Sequence, residues 1–458
     1  MRKLLVANRG EIALRVIRAG RELGVRTVAV CSEADTDAPH VRLADEHVVI
    51  GPAPAARSYL DADAVLSAAA RSGADAVHPG YGFLSERAAF AQQVADAGMT
   101  FVGPSPDAIR LMGDKALARS TATRAGVPTV PGSDGAVTDL SDALEVAERV
   151  GCPIAVKAAA GGGGRGIRIV EGPDELRAAL PLARAEAVAA FGSDEVYLER
   201  FVPHARHIEV QVFGDGEHFL HLGERECSLQ RRRQKIVEEA CAPGLPAQVR
   251  QAMTEAAVRL AAEVAYSGAG TVEFLYDSVR KEFFFIEMNT RIQVEHPVTE
   301  MVTGRDLVRE QLTVAAGASL SFTQEQVELR GHAMEFRLNA ENPDLGFMPS
   351  PGTITAMRMP GGPFVRVDSG CEQGGQVSPF YDSLIAKLVV WGDTREAALA
   401  RARRALDEVE VEGVATTAPF LRALADLPEF VDADYHTTFL ESWLAGRASD
   451  HDGTGRTA

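Results

Sequence analysis

The chain has 458 residues, 46% hydrophobic and 24% charged, with 64 acidic against 47 basic side chains and a formal net charge of −17. That length holds roughly two to four domains around a large core. The acidic balance excludes nonspecific binding to nucleic acid or anionic membrane, so an anionic substrate has to be held by local basic residues inside a cleft. The cysteines (Cys31, Cys152, Cys227, Cys241 and Cys371) are scattered, odd in number and lack C-x-x-C spacing. They read as reduced thiols of a cytoplasmic protein, not as a disulfide frame or zinc site. Residues 1–7 begin like a signal peptide, but Asn8, Arg9 and Glu11 end the apolar stretch too early. No run of about 18 apolar residues occurs, so no transmembrane span is expected.

Lys3 to Ala7 predicts a short strand, followed by a helix with Ile12, Val16, Ile17 and Leu23 at helical spacing and a second strand from Val25 to Val30. This is a βαβ unit. A second round follows: an Ala-rich helix from about Asp61 to Arg71 and a strand from Ala74 to Val77. The loop His78-Pro79-Gly80-Tyr81-Gly82-Phe83 would lie at that strand's carboxyl end, where open α/β sheets bind ligands. No G-x-G-x-x-G follows the first strand, which argues against a dinucleotide site. Near Asp114-Lys115 the style changes. From Pro153 to about residue 325, strands and helices alternate with long glycine-bearing turns. After Gly331 a more β-rich region includes Val365 to Asp368, Leu384 to Trp391 and a helix capped by Thr394. The tail after Gly446 is polar and without apolar periodicity, and is expected to be disordered.

Four segments carry chemistry. Lys157 precedes a glycine run from Gly161 to Gly164 set between two strands. There is no GK[ST] leading into a helix, so this is not a Walker loop. Glycines permit close backbone approach, and a glycine hairpin with Lys157 and Arg165 at its ends predicts a phosphate lid. Gln230-Arg231-Arg232-Arg233-Gln234-Lys235 places four cations in six residues, which should steer anions unless it is a solvated loop. Glu273 is a carboxylate within the apolar strand Thr271–Tyr276, costly without a partner. A turn from Asp277 to Lys281 would pair that strand with Phe283–Ile286 and bring Glu273 near Glu287 and Asn289, a set suited to Mg²⁺. In an extended chain, Glu287, Asn289, Arg291, Gln293 and Glu295 would share one face, a metal–phosphate or metal–carboxylate wall. By contrast, Glu199-Arg200-Phe201-Val202 reads only as a strand end, and His207 as a structural histidine.

The runs Glu287-Met-Asn-Thr-Arg-Ile-Gln-Val-Glu-His-Pro-Val-Thr-Glu300, His78-Pro-Gly-Tyr-Gly-Phe-Leu-Ser-Glu86, Gly161-Gly-Gly-Gly-Arg-Gly166 and Gln230-Arg-Arg-Arg-Gln-Lys235 closely resemble biotin carboxylase, a member of the ATP-grasp superfamily. The resemblance runs from Arg2 to about Gly446. It implies an α/β and α+β multidomain chain: a Rossmann-like N-terminal domain (1–113), an ATP-grasp domain (114–330) with a mobile glycine-rich lid (about 131–203), a β-rich C-terminal domain (331–446) and a tail (447–458).

The resemblance also implies roles. Lys115, Lys157, Gly163, Gly164, Glu199, Arg200, Val202, His207, Gln230 and Arg233 would contact ATP, joined by Glu273 and Glu287. Glu273, Glu287 and Asn289 would hold two magnesium or manganese ions. Lys235, Arg291, Gln293, Val294, Glu295 and Arg337 would hold bicarbonate, with Glu295 as general base and Arg337 on the biotin ureido oxygen. Tyr81, Gly82, Phe83, Arg337 and Asp382 would lie against biotin. The implied reaction is ATP-dependent carboxylation of biotin through carboxyphosphate, the first half-reaction of an acetyl-CoA or acyl-CoA carboxylase of fatty acid biosynthesis. No Met-Lys pair is present for biotin attachment, so the implied substrate is biotin on a separate carrier protein, with a carboxyltransferase partner and a possible homodimer. Three departures from the family pattern are Arg233, Ala160 and Cys241. None removes a charged catalytic group. The competing readings are an ATP-grasp ligase for another carboxylic acid and a catalytically weak scaffold that binds a carrier.

Overall fold

A computed structural model describes residues 1–453 apart from 134, 159–166 and 192–193. Leu4, Leu5 and Val6 are fully buried, as in a strand covered on both faces. The strand Lys3–Val6 pairs in parallel with Arg26–Ser32 on one side and Ala76–His78 on the other. Glu46–Gly51 and Thr100–Phe101 complete a five-stranded parallel sheet. The helix Gly10–Glu22 buries Ile12, Ala13, Val16 and Ile17. Asp61 caps Ala62–Ser72 by accepting from the Ala64 N–H, and Gly73 ends that helix at φ 65°. Asp114 caps Lys115–Arg124 in the same way, accepting from Ala116 and Leu117 N–H.

The chain forms two compact units. One contains Met1–Val127, Arg206–Phe274 and the residues from Glu287 onward; the other contains Pro128–Ala205 and Leu275–Ile286. In the smaller unit, Ile154–Ala158 pairs antiparallel with Ile167–Val170 and Val196–Arg200. Val146, Val150, Leu176 and Leu180 from two helices pack on Ile154, Val156 and Leu198 of that sheet.

The larger sheet has eight strands. Their order is Glu282–Asn289, Ser267–Asp277, Arg206–Asp215, Phe219–Arg231, Gln234–Ala240, His332–Asn339, Leu384–Gly392 and Val365–Ser369. The expected hairpin of the Glu273 and Glu287 strands is therefore present as two adjacent strands. His332–Asn339 pairs antiparallel with Gln234–Ala240, so one sheet continues across position 331. Sequence style changes there, but backbone hydrogen bonding does not.

The one-face alternation holds only as far as the strand does: it ends at Asn289, and Glu295 precedes the helix His296–Thr303 with φ −81° and ψ 10°. Pro297 at the start of that helix favours helical φ and has no N–H to give a strand. The helix Phe439–Gly453 extends into the segment expected to be a disordered tail, and 454–458 lie outside the described residues. Leu440 is buried in the core, with Phe439, Trp443 and Leu444 packed against it.

Glu239 shows how buried charge is managed in this sheet. Its carboxylate accepts from Arg395 Nε at 2.8 Å and Nη2 at 2.9 Å and from the Tyr435 hydroxyl at 2.6 Å, and lies 2.6 Å from His332 Nε2. Burial alone would raise it, but His332 and Arg395 outweigh burial and lower it to about 2. A depressed carboxylate contributes stability above its unfolded value of about 4.3 and loses it as pH falls through the folded value. Glu239→Gln is expected to cost about 3–5 kcal/mol near neutral pH, as when one partner of a buried pair is removed. The gap in melting temperature to wild type should narrow between pH 5 and pH 3. A gap independent of pH would show that the ion pair is not its source.

Candidate active site

The loops after the first and fourth strands of the parallel sheet open one cavity. Asn8 Nδ2 donates to the carbonyls of Pro79 and Tyr81, each at 2.7 Å, and so shapes the His78–Phe83 loop. Gly80 sits at φ 63°, and a Cβ there would come within 2.8 Å of Asn8 Nδ2, so glycine is required. The cavity holds about 540 Å³ and is lined by Tyr81, Gly82, Phe83, Arg337 and Asp382 together with Lys235, Arg291 and Val294. The five residues expected near biotin and four of the six expected near bicarbonate therefore share one cavity wall.

Glu295 is buried and bridges two of the cavity cations. Its Oε1 accepts from Lys235 Nζ at 2.6 Å and its Oε2 from Arg337 Nη2 at 3.0 Å. Lys235 also donates to Glu209 Oε2 at 2.5 Å and Glu273 Oε1 at 3.1 Å. One ammonium thus serves three buried carboxylates. Burial would raise Glu295, but Lys235, with help from Arg337, leaves it below its ordinary value. Lys235 itself is driven well above its ordinary value, because Glu209, Glu273 and Glu295 outweigh its desolvation. Both groups are therefore charged at neutral pH.

Arg337 is held by Glu238, whose Oε1 accepts from Arg337 Nε at 2.7 Å. Burial raises Glu238 to about 7 against the pull of that guanidinium. Arg291 donates from Nε to Glu86 Oε2 and from Nη2 to Asn289 Oδ1, both at 2.9 Å. Gln293, expected at bicarbonate, is buried in the network below Lys235. Its amide donates to Glu273 Oε1 at 3.0 Å and accepts from Arg225 Nη2 at 2.8 Å, beneath the cavity residues. Arg225, fully buried, also binds Glu209, Gln211, Thr271 and Thr299. It is the fixed counter-charge under the site.

His207, which the resemblance places at ATP, joins this network. Its Nε2 lies 3.2 Å from Glu273 Oε2, and its Nδ1 is 3.1 Å from Gln230 Nε2. Burial would lower the imidazole, but Glu273 more than offsets this and raises it to about 9. Arg231 is neutralised by Glu341 and lies 4.2 Å over the Phe347 ring, while Arg232 and Arg233 form an exposed two-residue hairpin tip with φ 48° and 67°. The basic run is thus divided: Lys235 enters the site, Arg231 is packed, and the tip is solvated. Lys115 is exposed at the first turn of its helix.

Glu273, Asn289 and Glu287 lie on adjacent strands. Asn289 Nδ2 donates to Glu273 Oε1 at 2.9 Å, and Glu287 is exposed. The donor set is all oxygen once the Asn289 amide turns its Oδ1 toward Glu273, which fits a hard divalent cation. His207, Glu209 and Glu273 also bring ligand atoms within 4.8 Å of one another, but Lys235 already binds two of the three.

In the smaller unit Lys157 Nζ is bound to the Glu199 carboxylate. Arg200 pairs with Glu282 at 2.7 Å and lies 4.8 Å over the Phe284 ring, and Val202 is buried against Phe284 and Ala205. Ala160, Gly163 and Gly164 lie outside the described residues. Sequence reasoning missed Glu11, Glu86, Glu209, Arg225, Glu238 and Lys387. Most stand in apolar strands, where an ionised side chain has to find a partner, and that was their only signal.

Family models match nearly the whole chain: "Biotin carboxylase, N-terminal domain" over residues 1–109, "Carbamoyl-phosphate synthase L chain, ATP binding domain" over 114–323, and "Biotin carboxylase C-terminal domain" over 335–442. The chain is 52% identical to biotin carboxylase 1 of Bacillus subtilis over 97% of its own length and 99% of the relative's. It is 53% identical to the biotin carboxylase of Pseudomonas aeruginosa over the same shares. Among solved structures, it matches the biotin carboxylase domain of a thermophilic 2-oxoglutarate carboxylase bound to bicarbonate with a TM-score of 0.92 and 46% identity, covering 96% of this chain and 98% of that one. The corresponding Hydrogenobacter thermophilus domain, a dimer in complex with MgADP, ADP and bicarbonate, matches with a TM-score of 0.86 and 48% identity, covering 96% and 97%.

Proposed function

The chain belongs to the biotin carboxylase family and is an ATP-grasp ligase that carboxylates biotin using ATP and bicarbonate; we propose that its substrate is biotin on a separate carrier protein and that the residues around Glu295 carry the chemistry. The observation that carries the site assignment is the buried Glu295 carboxylate bridging Lys235 and Arg337 at a cavity that also bears Arg291.

Bicarbonate is an anion and a poor electrophile. Bringing it within 4 Å of a phosphate costs about 4 kcal/mol per pair of unit charges at an effective dielectric near 20. Lys235 and Arg291 offset that repulsion, and Glu295 accepts the bicarbonate proton as its oxygen attacks the γ-phosphorus. ADP leaves, and carboxyphosphate yields CO₂ and inorganic phosphate. That phosphate removes the ureido N–H proton of biotin, the nitrogen attacks CO₂, and Arg337 holds the developing enolate-like oxygen.

Glu273, Glu287 and Asn289 would hold magnesium or manganese, which supplies charge neutralisation on the nucleotide phosphates. Glu295 is paired with Lys235 and Arg337, so the base and the cations that would hold bicarbonate are neighbours in one cluster. The carboxyltransferase acts as a second partner. A homodimer is the proposed assembly, as in the Hydrogenobacter relative. The cytoplasm is the proposed site of action; among the described residues no helix is long and apolar enough to cross a membrane.

The test is ADP formation from ATP with magnesium, bicarbonate and free biotin. Bicarbonate-dependent, biotin-stimulated turnover is expected; turnover indifferent to bicarbonate would refute the reading. Glu273→Gln is expected to weaken magnesium binding by about tenfold or more, read as a shift in the magnesium dependence of nucleotide binding. An unchanged dependence would remove Glu273 from the metal set.

A further inference from the structure

Lys387 lies in the strand Leu384–Gly392 and is fully buried. Its register neighbours are Arg337 on one side and Asp368 on the other, so the three side chains share a sheet face. Burying an ammonium is costly unless specific partners receive it. Lys387 has two from different parts of the chain. Its Nζ donates to the Val294 carbonyl at 2.8 Å and lies 3.1 Å from Glu11 Oε1. Glu11, on the first helix, accepts a hydrogen bond from the Tyr81 hydroxyl. Glu11, Tyr81, Val294 and Arg337 all line the cavity.

We propose that Lys387 is a positioning residue for the bicarbonate site, clamping the Val294–Glu295 peptide so that the Val294 backbone and the Glu295 carboxylate keep a fixed orientation. This rests on the assignment of Glu295 and its neighbours as that site. The peptide is planar, so holding the Val294 carbonyl also sets the direction of the Glu295 N–H. The segment needs such a clamp because it has left the sheet: the strand ends at Asn289 and the next helix begins at His296. Glu11 fixes the other side of the ammonium, and Tyr81 ties Glu11 to the cavity loop. A chain of contacts thus joins the wall near biotin to the backbone beside the base. A salt bridge serving stability alone would have no reason to reach the one carbonyl that adjoins Glu295.

The experiment compares wild type, Lys387→Met and Glu11→Gln in bicarbonate-dependent ADP formation with free biotin, and measures melting temperature in parallel. In Lys387→Met the KM for bicarbonate is expected to rise about tenfold, with a fall in kcat, while the KM for ATP stays within about twofold. Glu11→Gln, which leaves Lys387 in place with a weaker partner, is expected to raise the bicarbonate KM by a smaller factor. A folded Lys387→Met with the wild-type bicarbonate KM overturns the clamp. If Lys387→Met does not fold, an unchanged bicarbonate KM in Glu11→Gln overturns it instead. ADP formation in the wild type that ignores bicarbonate would overturn the underlying site assignment and the clamp with it, and is distinguished by appearing before any substitution.

Discussion

Replacing Glu295 with Gln is expected to lower bicarbonate-dependent ATP cleavage by about 10²- to 10⁴-fold, the usual contribution of a positioned general base. Nucleotide binding should survive, because the residues assigned to ATP, from Lys115 to Glu287, are untouched. The measurement is single-turnover ADP formation beside equilibrium ATP binding. Wild-type turnover in the variant would remove Glu295 from the base role. The pH dependence has a definite sign. Burial raises Glu295, but Lys235 and Arg337 hold it below its ordinary value. A depressed carboxylate is ionised through neutral pH and contributes stability that is lost as pH falls through its folded value. Wild type should therefore hold its base ionised across neutral pH and lose it only in acid. The stability gap between wild type and Glu295→Gln should be widest above about pH 4.3, the unfolded reference, and should close below it.

Lys235→Met is expected to be the most damaging single substitution for stability. It strips the shared ammonium from Glu209, Glu273 and Glu295. Arg225 still covers Glu209, and Arg337 still covers Glu295, but three buried carboxylates then face one another without their common partner. Breaking one buried pair typically costs about 3–5 kcal/mol, and this change breaks three contacts at once. Turnover should fall with it, since Lys235 is also assigned to bicarbonate. The variant should recover in mild acid, where the carboxylates regain protons that Lys235 had kept off. Thermal denaturation at pH 8 and pH 5 checks this. A wild-type melting temperature at pH 8, or a deficit that grows in acid, would show that the lysine does not neutralise the cluster.

Local patterns made much of the fold legible. The opening βαβ unit, the Thr394 cap and the apolar strands were readable because side-chain periodicity and cap chemistry are properties of short segments. So was the meeting of Glu273 with Asn289, because a tight turn between two strands leaves few registers. The surroundings of His207 were not legible for the opposite reason. A lone histidine on a strand says nothing about the carboxylate 3.2 Å away on another, and that carboxylate decides its charge.

The sequence by itself determined the family, the parallel N-terminal sheet and the residue types gathered between Glu287 and His296. Alternation by itself could not show the last paired residue, because Asn289 through Glu295 alternate as well as any strand; the folded chain ends the pairing at Asn289. Nor could it show that one sheet passes through residue 331, since long-range hydrogen bonds leave no local trace. The tertiary structure alone decided the charge balance. Lys235, Glu209, Glu273 and Glu295 come from separate segments, and the carboxylates stay ionised because Lys235, helped by Arg225, His207 and Arg337, outweighs burial and their mutual repulsion. Burial penalises every one of those charges singly and tolerates them together.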